Sequence, residues 1–275
     1  MEHLGSQNVA RLPSICEGIN LTEKHHPLDC ICEVCLASKG RQLPHNHPIE
    51  PGKHKMDLIY SDVVGPMPVL GYDGSRYLIT FTCDYSKLTA VYLIKVKGDV
   101  TDSFIHFKKH YERPDLGWVI KRLRDDNGGE YIASKFQKVL FEGGIRWEPT
   151  EPYTSQMNGS AERLGQTIYR KAAPLLKHAG LDLKFWPEAI KHTAYLYMRS
   201  PHSKIKKTPF EAWYGRRPHI GHVRTFGSTV YYSNPGRSRK LIRDEASKGI
   251  LVGYEGDTLY RILKPDGRIC RAAAL

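Results

Sequence analysis

The sequence predicts an α/β fold, a mixed sheet with helices on its faces. Three observations carry this. Apolar and β-branched runs at 56–64, 76–83 and 89–96 are separated by turn residues, so they read as strands. Between Asp99 and Glu148 the pattern changes to helix, strand, helix, strand, which suits a sheet covered on its faces. Two acids, Asp62 and Asp126, stand at the ends of strand-like runs, and a third, Glu162, stands near the start of a long helical pattern.

Residues 1–55 read as an appendage. They contain Cys32-Glu33-Val34-Cys35 and a His/Pro-rich link from Pro44 to Gly52. Two thiolates spaced Cys-x-x-Cys can reach one tetrahedral ion, so Cys32 and Cys35 are candidates for half of a zinc site. His3, His25 and His26 are the upstream histidines that could complete it, although adjacent His25 and His26 are poorly spaced to act as a pair.

The next region, 56–200, holds the sheet. Gly71–Gly74 is a turn, and Asp84–Lys87 joins two β-rich runs as a hairpin. Residues 99–111 read as a helix through Val100, Phe104 and Phe107, and Trp118–Arg124 reads as the following strand. Ser134–Phe141 is a short helix stopped by Gly143-Gly144, and 145–148 is a short strand. The segment from Pro152 to Arg163 reads as a mobile loop that ends at Asn158-Gly159 and leads into a helix, with Glu162 in its first turn. Leu164, Ile168, Leu175 and Leu176 form that helix's apolar stripe, and Pro174 predicts a kink. A second helix starts near Lys184 and ends before Pro201.

Residues 201–275 are basic and end in a small β element, with strand candidates at 249–254 and within 260–271. From Arg199 to Arg243 there are eleven Lys and Arg against one acid, Glu211, with aromatic side chains between them. Cations interleaved with aromatic rings suit phosphate neutralisation and base stacking. Lys204, Lys206 and Lys207 are candidate DNA contacts in this region. The whole chain carries 41 Lys and Arg against 29 Asp and Glu in 275 residues, a net charge of +12. That favours a polyanionic partner, nucleic acid first (DNA, and RNA besides) and an anionic membrane surface second. No apolar run is long enough to span a bilayer, and the six cysteines are too scattered for a disulfide framework.

Asp62 and Asp126 at neighbouring strand ends, with Glu162 on a helix, would make a carboxylate cluster. Like charges repel in such a cluster unless divalent cations occupy it. Thirty-five residues separate Asp126 from Glu162.

The words around these acids resemble the integrase of copia-type LTR retrotransposons. They are Ser61-Asp62-Val63-Val64-Gly65-Pro66, Leu123-Arg124-Asp125-Asp126-Asn127-Gly128-Gly129-Glu130-Tyr131 and Asn158-Gly159-Ser160-Ala161-Glu162-Arg163. Downstream, Phe185-Trp186-Pro187-Glu188-Ala189, Thr208–Gly215, Phe226-Gly227 and Gly249–Tyr254 extend the likeness over nearly the whole chain. The resemblance implies an RNase H-like core that performs 3′ processing and strand transfer of element DNA ends into target DNA. It implies that Asp62, Asp126 and Glu162 are catalytic and hold two Mg²⁺ or Mn²⁺ ions. It also implies that Gln156, Asn158 and Arg163 contact DNA, that the protein is a homo-oligomer, and that it works in the nucleus. A His-His-Cys-Cys zinc module is expected ahead of the core, with His3, Cys32 and Cys35 as its ligands.

Two departures stand out. The family's zinc module has His-x4-His before Cys-x-x-Cys. Here only His3 can stand for the second of these, and the first would lie before Met1, so the sequence reads as beginning inside the module with its zinc site incomplete. Ser155-Gln156-Met157 replaces the family's usual Pro-Gln-Gln. Two other functions are compatible with such a chain: a DNA-binding remnant that has lost activity, and an RNase H-like nuclease acting on RNA in hybrids.

Overall fold

The computed structural model describes Ser14 and residues 50–150, 155–233 and 246–273, with backbone alone at 155–163 and at 233. The chain forms two compact units, Met1–Asn46 and His47–Leu275. His3, Cys32 and Cys35 lie outside the described residues. Both described sheets and the helices that cover them belong to the second unit.

The first three strands are β1 (Leu58–Val64), β2 (Tyr77–Cys83) and β3 (Thr89–Ile94), followed by helix α1 (Val100–Tyr111). Then come β4 (Arg122–Asp125), α2 (Gly129–Ile132), α3 (Ser134–Glu142) and β5 (Arg146–Pro149). The five strands lie in the order β3-β2-β1-β4-β5. β1, β2 and β3 are antiparallel, whereas β4 and β5 run parallel to β1. A short turn explains the β2–β3 pair: Lys87 takes φ +57 where β2 turns back into β3. The helices between β3 and β5 explain the parallel half, because parallel strands need a crossover connection.

Alternation along β1 divides its side chains between two cores. Ile59 and Val63 pack with Phe104, Phe107, Leu123 and Phe136 on the face covered by α1 and α3. Val64 packs with Leu78 on the other face, together with Ile168, Ala172 and Leu176 of the long helix α4 (Ser155–Ala179). α4 stops where Gly180 adopts φ +63, a left-handed cap that costs glycine little. Pro174 sits inside α4, as expected. The helix α5 (Trp186–Arg199) follows a single 3-10 turn at Leu183–Phe185. The short helix α6 (Pro209–Tyr214) is capped by Thr208, whose Oγ1 accepts from the Glu211 N–H.

The carboxy-terminal β element is a second, antiparallel sheet of β6 (Thr229–Ser233), β7 (Ala246–Glu255), β8 (Leu259–Leu263) and β9 (Ile269–Ala272). Val252, Leu263 and Phe226 share a core with α4 and α5. Glu188 of α5 is fully buried at this junction. It receives Nε and Nη2 of Arg261 at 2.5 and 2.8 Å and the Tyr72 hydroxyl at 2.6 Å. Burial pushes its carboxyl up, but the Arg261 hydrogen bonds, the Lys191 charge and the Tyr72 hydroxyl outweigh burial and leave it below the usual carboxylate value.

Two local expectations change. The strand expected from Trp118 begins only at Arg122, because Arg113 and Trp118 pair as a small bridge around the Pro114–Leu116 turn. The loop expected up to Asn158-Gly159 is already helical from Ser155, so Glu162 stands at the end of the second turn of α4 rather than in its first. Residues 151–154 lie outside the described residues.

Candidate active site

Asp62 belongs to a nearly solvent-free strand and is itself only 6% exposed. β1 and β4 pair in parallel, with Tyr60 opposite Arg124. Carrying that register two residues further sets Asp62 opposite Asp126, the first residue past β4. The chain turns there, with Asn127 at φ +61, a conformation that asparagine tolerates better than most residues. Asp126 is exposed, and its Oδ1 accepts from the Gly128 N–H at 3.2 Å.

Asp125 does a different job. It is fully buried, with Oδ1 accepting from the Asn127 N–H at 2.8 Å and Oδ2 from Trp147 Nε1 at 2.7 Å. Burial raises its pKa to about 6, with these two hydrogen bonds opposing the rise and the charges of Asp126 and Glu130 adding to it. Asp125 therefore shapes the turn that carries Asp126.

Behind the two acids lies a hydrogen bond that sequence reading missed. Ser61 Oγ and the Tyr131 hydroxyl are 2.6 Å apart and buried, tying β1 to α2. Burial holds the Tyr131 phenol well above its usual pKa, and the charges of Asp125, Asp126 and Asp62 push the same way while the Ser61 hydrogen bond opposes them. No single residue signals this pair, since serine and tyrosine are unremarkable in a strand and a short helix.

The third element is α4. At Gly165 a Cβ would stand 2.6 Å from Asp62 Oδ2 and 3.2 Å from Val64 Cγ2, so the helix backbone lies directly against the Asp62 carboxylate. Glu162 is three residues earlier, one turn along the same helix. Its side chain is outside what is described, as are those of Gln156, Asn158 and Arg163. A glycine within an apolar helical stripe costs roughly 1 kcal/mol against alanine, and that penalty is the signal that could have pointed to Gly165.

Lys204, Lys206 and Lys207 are exposed on a turn closed by His202 and Lys207. The Thr89 N–H donates to Met198 Sδ at 3.3 Å, so the end of α5 that leads into this turn lies beside the β2–β3 hairpin, where β1 begins. Asp62 and Asp126 lie toward the other end of the parallel strands, so the lysine turn and the acids are not brought together.

Among the described residues, no three His, Cys, Asp or Glu side chains converge. Asp62 and Asp126 supply two hard carboxylate donors on adjacent strands, a donor set that fits Mg²⁺ or Mn²⁺ and does not fit a soft thiophilic ion.

Comparison with known proteins gives this arrangement a family. Residues 52–155 match the integrase core domain. The chain belongs to the integrase core family. It is 35% identical over 236 residues to the retrovirus-related Pol polyprotein from transposon TNT 1-94 of Nicotiana tabacum, covering 85% of this chain and 18% of that polyprotein. It is 29% identical over 272 residues to the Pol polyprotein from transposon RE2 of Arabidopsis thaliana, covering 97% of this chain and again 18% of the relative. The chain thus groups with copia-type integrases and spans 18% of the length of these relatives. Among solved structures, a chain of the simian T-cell lymphotropic virus intasome in complex with PP2A regulatory subunit B56 gamma superposes with a TM-score of 0.53 at 15% identity. That match covers 88% of this chain and 84% of that one. The integrase core here therefore has the RNase H-like fold that its motifs imply. No helix among the described residues is long and apolar enough to cross a membrane.

Proposed function

We propose that this chain is an integrase that carries out 3′ processing and strand transfer of retrotransposon DNA ends, with Asp62, Asp126 and Glu162 as its catalytic acids. The observation that carries the reading is the contact at Asp62. Its carboxylate meets the backbone of α4 at Gly165, one turn from Glu162, while strand register sets it opposite Asp126. Two strands and one helix thus support a shared site for the three acids at one end of the sheet.

The three carboxylates would hold Mg²⁺ or Mn²⁺. When bound, two such ions supply Lewis acidity to the attacking and leaving oxygens of an in-line displacement at phosphorus. The chain's own contribution is placement. β1 holds Asp62 in a buried position, Ser61 and Tyr131 brace it from behind, and the Asp125 turn presents Asp126 to solvent. The attacker is water in 3′ processing and a DNA 3′-hydroxyl in strand transfer, and neither step requires a covalent bond to the protein. Gln156, Asn158 and Arg163, at the start of α4, would meet the DNA end. Under the same reading, residues 1–55 are a partial zinc-binding segment with Cys32, Cys35 and His3 as its candidate ligands, 56–200 the catalytic core, and 201–275 a basic region for DNA. The active form is a homo-oligomer working in the nucleus.

The experiment is strand transfer of a labelled element-end duplex into plasmid DNA with Mg²⁺ or Mn²⁺. The wild-type chain should give joined product only when one of these ions is present, and Asp126→Asn should give none. If the wild type binds DNA but joins nothing with either ion, the chain is a binding remnant and the proposal fails.

A further inference from the structure

At the end of the sheet where β1 and β4 begin lies a cavity of about 340 Å³. Its character comes from Lys55, His110, Arg113, Trp118, Trp213 and Tyr214. Lys55 Nζ stands 4.0 Å from the centre of the Trp118 ring and donates to the Trp213 carbonyl at 2.7 Å. Arg113 Nη1 donates to the main-chain carbonyls of His110 and Glu112. Among the described residues, no carboxylate forms an ion pair with Lys55 or Arg113; their polar contacts are main-chain oxygens. Two cations without acids therefore border one cavity, and a lysine ammonium with three donors and a guanidinium with five keep donors beyond these main-chain contacts.

The opposite wall offers a ring. Tyr214 is 52% exposed, lines the cavity and packs against Phe210 at 4.5 Å between ring centres. The segment that presents it is cationic on both sides. Lys204, Lys206 and Lys207 precede α6 and Arg216 and Arg217 follow it, all exposed. A ligand that satisfies both walls carries a negative charge beside a flat apolar ring. It must also be small enough for about 340 Å³, the lower end of ordinary ligand-pocket sizes. Bases in a duplex are stacked and paired, so a duplex offers only its phosphates. An unpaired nucleotide offers both groups.

We propose that this cavity binds one nucleotide of a single-stranded polynucleotide, with its phosphate on Lys55 and Arg113 and its base against Tyr214. Lys55 and Trp118 precede β1 and β4, while Asp62 and Asp126 lie at the far ends of those strands. The cavity is therefore a separate site, and the proposal stands whether or not the acids catalyse strand transfer. The basic rim would guide neighbouring phosphates toward it.

The test uses the full chain, a fluorescein-labelled short oligothymidylate and an abasic oligomer of the same length and charge, followed by fluorescence anisotropy. Base stacking on one ring is worth roughly fivefold to 100-fold in affinity, so wild type should bind the oligothymidylate tighter than the abasic strand by that factor. Arg113→Ala should weaken both strands about equally. Tyr214→Ala should bring the oligothymidylate down to the abasic value and leave the abasic strand unchanged. Arg268→Ala, which removes an exposed cation of the carboxy-terminal sheet, should alter neither. Arg113 and Tyr214 are exposed, so circular dichroism should show both variants folded. Equal wild-type affinity for the two strands would overturn the proposal, and so would an unchanged Tyr214→Ala. Displacement of the oligothymidylate by poly-glutamate at matched charge would also overturn it, by assigning the cavity to an acidic protein partner.

Discussion

Replacing Gly165 by alanine tests the contact between α4 and the proposed active site, because it should separate activity from stability. The added Cβ would stand 2.6 Å from Asp62 Oδ2. Ordinary carbon–oxygen approaches are about 3.3 Å, so something must move by about 0.7 Å. The partner is the tip of a carboxylate, which can rotate, and alanine gains roughly 1 kcal/mol of helix propensity over glycine. Overpacking in a core costs typically about 1–3 kcal/mol, so the net loss should be at most about 2 kcal/mol. Displacing a catalytic group by about 1 Å can cost about 10²-fold in rate. Gly165→Ala should therefore remain folded, with urea unfolding shifted only slightly, while strand transfer falls about 10²-fold. Gly165→Val also meets Val64 Cγ2 and should lose stability as well. If Gly165→Ala joined DNA within threefold of wild type, α4 would not press on Asp62 in the working protein, and the placement of Glu162 beside it would lose its support.

Other outcomes follow from the packing and the charges. Arg261→Met leaves the buried Glu188 carboxylate without its main partner and should cost about 3–5 kcal/mol, read by urea denaturation. Because the folded pKa of Glu188 lies below its usual value of 4.5, its pairing stabilises the fold above that value and is lost as pH falls through the lower folded pKa, so wild type should lose stability on acidification below about pH 4.5 and Glu188→Gln should flatten that loss. His192 is buried between Phe226 and Tyr254, and burial lowers its pKa to about 4. The unfolded chain takes up that proton first, so stability should fall by up to about 3 kcal/mol between pH 6.5 and 4, and His192→Phe should remove this slope. Replacing Lys204, Lys206 and Lys207 together should flatten the dependence of log K on log salt for duplex DNA by up to about 3, with little change in sequence preference, whereas Asp126→Asn should leave that slope nearly unaltered.

Much of the fold was legible because local signals agreed with the tertiary arrangement. Asp84–Lys87 reads as a hairpin turn and is one, and the apolar run at 56–64 reads as a strand and holds β1. The boundaries that moved did so for tertiary reasons. Trp118 has strand character, but it packs against Trp213 of α6 and pairs with Arg113, so β4 starts late. Asn158-Gly159 carries a turn signal, yet α4 already runs through it, in a helix long enough to tolerate a weak pair of residues. α6 and β6 escaped notice because the basic and aromatic character of their residues hid their periodicity. Of the candidate site, the acids were legible from their words. Gly165, Ser61 and Tyr131 were not, because each matters through what lies across from it in space. The cavity between Lys55 and Tyr214 joins three separate stretches of chain and could not be read from any one of them.

Glu162 is the acid whose part rests most on the helix that bears it, so its replacement tests the central claim most directly. Mg²⁺-dependent strand transfer should be measured for Glu162→Gln beside Glu151→Gln, an acid of the same stretch to which no role is given. A metal-holding carboxylate contributes several kcal/mol to the transition state, so Glu162→Gln should lose about 10³-fold or more, while Glu151→Gln stays within about threefold of wild type. Retained transfer in Glu162→Gln would show that Asp62, Asp126 and Glu162 do not form one active site.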